Sequence, residues 1–312
     1  MSLPEILKDR LKLPVIGAPM YIASGPELVL AQCRAGIVGA FPSLNARPKE
    51  TLGNWLAELD EKLGPADAPY AVNLIVHKSN SRLDHDLDLC IRHKVPIIIT
   101  SLGAREDVNE AVHAYGGIVL HDVINDRFAR KAIEKGADGV IGVAAGGGAH
   151  AGTWSPFALV QEIRQWFGGL LVLAGAIATG QAVRAAQVMG ADMAYIGSPF
   201  LATDEARVTQ AYKDMIAAGG AADIVYTDYF SGVNSNYLRG SIEKQGMNPD
   251  DLPKGDVSTM DFGDRDRPET DSPKAWRDIW GAGQGIGVID AVRPAADYVD
   301  LLAKQYDEAR SV

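Results

Sequence analysis

The chain has 312 residues, 47% of them apolar and 22% charged, which supplies one large core and excludes a mostly unstructured chain. Lys and Arg number 30 against 40 Asp and Glu, and this formal charge of −10 comes without basic clusters. That balance argues against nucleic acid or an anionic membrane surface as a partner. Cys33 and Cys90 belong to no CxxC or Cys/His pattern, so no disulfide framework is expected and a reducing, cytoplasmic setting fits. The opening MSLPEILKDRLKLP mixes charge into its apolar residues and reads as neither a signal peptide nor a membrane helix.

In chain order, residues 14–18 (PVIGA) read as a first strand, and Pro26 opens a helix. Residues 37–41 read as strand two. The stretch 48–63 reads as a helix with Leu52, Trp55, Leu56, Leu59 and Leu63 on one face. Strand three is expected at 70–76, a helix at 81–93, and strand four at 96–100 (PIIIT). A helix at 106–114, strand five at 117–123 and a helix at 127–135 follow. Strand six at 138–143 leads into GGGAHAG. Ser155 and Pro156 then start a helix to about residue 167. Strand seven lies at 170–174, a helix at 180–189, strand eight at 192–196 and a further helix at 203–218. The last helix, 294–309, carries the stripe Ala295, Tyr298, Val299, Leu302 and Tyr306.

Eight short, continuously apolar runs separated by amphipathic helices predict an α/β fold, a (β/α)8 TIM barrel. Residues 1–219 and 276–312 form the barrel in this reading. Residues 220–275, rich in Pro, Gly and Asp toward their end, form a smaller insertion or lid over its mouth. Site residues are then expected just after the strands.

After strand seven comes AGAIATG, and after strand eight GSPFLAT. One such loop reads as an ordinary turn; the two in succession read as a phosphate site, with Gly175, Gly197 and Ser198 in position. GAGQGIG at 281–287 fails the dinucleotide spacing, because Ile286 or Val288 stands where the third glycine belongs. Asp84, Asp86 and Asp88 suggest a calcium loop, but Leu89 replaces its required glycine, and the helical pattern makes them a solvated face. The histidines form no HxxxH pair, so no metal is expected. His77, His121 and His150 all lie at strand ends. His150 is the strongest candidate for a proton-transfer group, since its glycines leave room for a flat ligand. His85, His93 and His113 fall on helices.

Taken together, GAPM at 17–20, VNL with Asn73, AAGGGAHAG, AGAIATG, MGADMAYIGSPFLAT and AGQ at 282–284 resemble the nitronate monooxygenase family, formerly the 2-nitropropane dioxygenases. This flavin-barrel group also includes enoyl-ACP reductase II and NADH:quinone reductase types. The resemblance spans nearly the whole chain. It implies non-covalent FMN contacted by Ala18, Pro19, Met20, Asn73, His121, Gly148, Gly175, Ala176, Gly197, Ser198, Gly283 and Gln284. It implies His150 as the catalytic base, a nitronate or nitroalkane and O2 as small-molecule substrates, and a carbonyl compound and nitrite as products. The alternative within the group is NAD(P)H-dependent FMN reduction of quinones or enoyl thioesters. A homodimer is compatible with either. The sequence departs from the family pattern in lacking a glutamate before the glycines that precede His150, and in having Ala176 at a phosphate-loop glycine position. It also carries His121 and Asp122 where some relatives place a lysine near the flavin pyrimidine, and Asp122 is expected to point away or leave that work to another group.

Overall fold

The computed structural model describes residues 3–255 and 275–311. The strands are β1 (Val15–Gly17), β2 (Gly39–Pro42), β3 (Tyr70–Ile75), β4 (Ile97–Ser101), β5 (Ile118–Val123), β6 (Gly139–Val143), β7 (Ala149–His150), β8 (Leu170–Ala174), β9 (Met193–Ile196), β10 (Ile224–Thr227) and β11 (Ser235–Leu238). The helices are α1 (Pro26–Arg34), α2 (Thr51–Lys62), α3 (Leu83–Arg92), α4 (Glu106–His113), α5 (Asp126–Glu134), α6 (Pro156–Arg164), α7 (Gly180–Met189), α8 (Ser198–Leu201), α9 (Gln210–Ala218), α10 (Arg239–Lys244) and α11 (Ala295–Arg310).

Eight parallel strands form one sheet in the order β1-β9-β8-β6-β5-β4-β3-β2. The ring closes where Ile16 bridges Val38: Gly17 N–H donates to Val38 O at 2.7 Å, and Val38 N–H to Val15 O at 3.1 Å. The result is the predicted TIM barrel. Its strands are apolar on both faces because both are covered. Ile16, Ala71, Ile97, Ile99, Leu120, Ile141 and Val172 fill the interior, joined by Leu7 from the turn before β1. Their strand neighbours Val72, Ile98 and Val119 pack outward against Leu56, Leu59, Leu89 and Val108 of the helices. Each fully buried Val, Leu or Ile among them contributes about 1.5–3 kcal/mol.

The predicted helix at 203–218 forms only as α9. Residues 203–209 instead tie the barrel together: Thr203 bridges Arg293, and Arg207 N–H donates to Ala23 O at 2.9 Å. These tertiary partners outweigh local helix propensity. Asp86 is also not on a solvated face; it is fully buried and pairs with Arg82 at 3.2 Å.

Within the predicted insertion, β10 and β11 form an antiparallel hairpin, and β11 pairs in turn with β7, the two-residue strand that carries His150. The Pro/Gly/Asp-rich part of the insertion at 256–274 lies outside the described residues. Among the described residues no helix is long and apolar enough to cross a membrane.

Candidate active site

Side chains alternate along a strand, so the interior positions at the strand ends follow from the interior core below them. Asn73, Ser101, Asp122, Val143, Ala174 and Tyr195 therefore line the floor of the barrel mouth. Three of them are linked. Asn73 Nδ2 donates to Ile99 O at 3.0 Å and to Ser101 Oγ at 2.8 Å. Ser101 O–H donates to Asp122 Oδ2 at 2.6 Å. Burial pushes the Asp122 carboxyl up to about 6, against the opposing pull of the Ser101 hydrogen bond. Tyr195 is also driven well above the usual phenol range, by burial and then by the nearby Asp122 charge.

This alternation corrects the expectation at strand five. His121 lies on the outward face of β5, where its Nδ1 meets Thr100 Oγ1 at 2.6 Å, and it is 95% buried in the wall (5% exposed). Asp122 takes the interior position at that strand end. Continuous apolar runs do not reveal which parity faces inward, because both faces are buried.

His150 forms part of the roof. Its backbone pairs with Ser235 and that of Ala149 with Asn236. The loop around it has further ties to the same hairpin. Asn236 Nδ2 donates to Gly147 O at 2.6 Å, Tyr226 O–H to Ala151 O at 2.9 Å, and Ala151 N–H to Asn234 O at 3.4 Å. Trp276 and the His150 ring meet in a T-shaped contact, with centroids 5.4 Å apart and planes at 81°, and Tyr21 makes a second T-shaped contact with that indole at 6.0 Å. Burial pushes His150 down to about 4, and His121 to the same value. A depressed histidine pKa therefore does not by itself mark the mouth; position does. His77, the third strand-end histidine, pairs Nδ1 with Ser79 Oγ at 2.9 Å.

The glycine loops converge as predicted, though not all of their space is open. A Cβ on Gly283 would lie 2.6 Å from Gly146 O and 2.9 Å from Gly148 N, so glycine here serves close backbone packing. Gly283 N–H donates to Ser198 Oγ at 2.8 Å, and Gln284 N–H to Gly146 O at 2.9 Å. The first loop joins the same edge: Ala18 N–H donates to Ile196 O at 2.8 Å, and Met20 is pinned by Asn45 and Ser24. Pro19 lies between them, half-buried. Gly175 and Ala176 both adopt left-handed backbone, φ +129° and +54°. The N–H groups of Gly175, Ala176 and Ile177, and of Gly197 and Ser198, meet no acceptor among the described residues. Two loops that follow neighbouring strands β8 and β9 thus carry backbone donors with no acceptor among the described residues, as a phosphate-binding loop does.

The model of the nitronate monooxygenase family matches residues 46–304. The chain belongs to the nitronate monooxygenase family. The nitronate monooxygenase of Neurospora crassa is 25% identical over 337 residues, covering 94% of this chain and 89% of that protein. A 5-hydroxy-7a-methyl-1-oxo-octahydro-1H-indene-4-carboxyl-CoA dehydrogenase of Rhodococcus jostii is 26% identical over 237 residues, 75% of this chain and 65% of that protein. For three curated relatives, this dehydrogenase among them, the matched part is only 61–65% of their length. A solved point variant of FabK from Thermotoga maritima superposes with a TM-score of 0.77 at 25% identity, over 98% of this chain and 96% of that one.

In this nitronate monooxygenase family member, several mouth residues escaped the sequence reading: Ser101, Asp122 as an interior group, Tyr195 and Asn236. Ser101 and Tyr195 had a usable signal, since each follows an interior residue two positions earlier. Asn236 had none, because its role depends on contacts with a loop far away in the chain.

Proposed function

We propose that this chain is an FMN-dependent oxidoreductase that oxidises alkyl nitronates with O2 to a carbonyl compound and nitrite. The observation that carries the reading is His150, uncharged at neutral pH, on a loop that packs beside Ala176 and Ser198 of the two loops whose backbone donors meet no acceptor among the described residues. Gly175, Ala176, Ile177, Gly197 and Ser198 would hold the cofactor phosphate through those N–H groups. The strand-end floor, Asn73 included, would meet the ring. Bound FMN would supply the electron acceptor that the side chains lack.

The chain's own groups then bind and orient the substrate. At neutral pH the His150 imidazole, with its pKa near 4, is uncharged and a weak base. It is poorly matched to pulling a proton from a neutral nitroalkane. For a nitronate, which is already anionic, the imidazole can offer one N–H, and the bound anion would raise its pKa. Trp276 packs against this group, ring centroids 5.4 Å apart. We therefore place the ionised nitronate ahead of the neutral nitroalkane as substrate.

A second reading, NAD(P)H-dependent FMN reduction of a quinone or enoyl thioester, draws support from the Rhodococcus jostii relative, whose name describes a carboxyl-CoA substrate. Anaerobic mixing separates the two. Rapid bleaching of bound flavin by a nitronate, with none by NADH or NADPH, is expected. Bleaching by a reduced pyridine nucleotide while nitronates leave the flavin oxidised would replace the first reading with the second.

A further inference from the structure

Asp122 is an ionisable group at the mouth that the proposed reaction does not use. It sits on the interior face of β5, with its Oδ2 filled by the Ser101 hydroxyl. The relay has a fixed direction: Asn73 fills a Ser101 lone pair, which commits the Ser101 proton to the carboxylate. The other oxygen, Oδ1, is buried and has no hydrogen-bond partner among the described residues. The neighbouring elements offer no compensating charge among the described residues. β4 contributes Ser101, β6 contributes Ile141 opposite, β9 contributes the protonated phenol of Tyr195, and His121 of the same strand is neutral and turned outward. Only Ser101 opposes the cost of burying the charge.

The geometry points to Asp122 as a proton-linked binding residue: when an uncharged ring covers the floor, its carboxylate takes up one proton. This rests on the FMN reading above. The physical reason is desolvation. A ring seated over the partly exposed Asp122 side chain removes its remaining water without supplying a cation, which favours the neutral acid. The balance is simple: carboxylate, one proton and the ligand give the carboxylic acid and its complex, with no electrons moved. At pH 7 the free site is mostly ionised, since its pKa lies near 6, so the proton must come from solvent. Binding then weakens as pH rises. Were a ring N–H to donate to the carboxylate, it would stay charged and no proton would be taken up.

The test is calorimetric titration of FMN into the FMN-free protein at pH 7, in two buffers of different ionisation enthalpy, for wild type and Asp122→Asn. The amide keeps the shape and a donor but cannot titrate. Wild type is expected to take up roughly 0.5–1 proton more than the variant. Its affinity, relative to the variant's, is expected to fall as pH rises above 7, by about three- to tenfold per pH unit for 0.5–1 proton taken up. Ser101→Ala supplies a second readout should the first variant fold poorly. Losing the hydroxyl that favours the charge raises the Asp122 pKa, so the proton uptake at pH 7 should shrink. Equal proton counts and parallel pH profiles in all proteins that bind FMN would overturn the inference and leave the cofactor reading intact. Failure of every protein to bind FMN would remove both.

Discussion

Asn73, Ser101 and Asp122, in the floor of the mouth, come from consecutive strands β3, β4 and β5, and their positions follow from ladder register and side-chain alternation. His150, in the roof, sits on two residues of strand that pair with a hairpin, and its loop is held by an amide 89 residues further along the chain. The floor is therefore as rigid as the barrel. The roof depends on long-range polar contacts that can open without unfolding the strands. The difference implies a division of labour, with cofactor contacts on the floor and the loops beside it, and substrate contacts on the roof.

The strongest way to break that division is to remove the roof's titratable group. His150→Ala removes one N–H donor to the anionic substrate and should lower the rate of flavin reduction by substrate by about 10–10²-fold while FMN affinity stays within a few-fold. Stopped-flow reduction and an FMN titration measure the two quantities; a matching loss of FMN affinity would show that His150 also serves the floor. A smaller effect is expected from Asn236→Ala, which leaves Gly147 O without its buried donor. It should cost about 1–3 kcal/mol in denaturant unfolding and raise the substrate KM more than the FMN Kd. Equal weakening of both would mean that roof and floor move together. The smallest effect is expected on the floor side, at Ala176, whose left-handed backbone costs an L-residue about 1–2 kcal/mol. Ala176→Gly relieves that strain but adds freedom to the unfolded chain, so a net gain of about 1 kcal/mol or less is expected, seen as a small rise in Tm.

Much of the barrel was legible in the sequence because its signals are local. Continuous apolar runs, helical stripes, Pro at helix starts and glycine-rich loops each need only a few neighbouring residues to be read. The same locality placed Gly148, Gly175, Ala176, Gly197, Ser198, Gly283 and Gln284 together, since each follows a strand or returns to the same end of the barrel. His150 was singled out by its glycines, but its protonation state was not readable, because burial under Trp276 and the hairpin moved its pKa away from neutrality. Only the tertiary structure decided that Asp122 rather than His121 faces inward, as a strand buried on both sides carries no polarity signal for its parity. It also decided that residues 203–209 serve as a tie rather than a helix, and that Asn236 holds the histidine loop. In each case the deciding partner lies far along the chain, and its contribution exists only once the chain has closed around it.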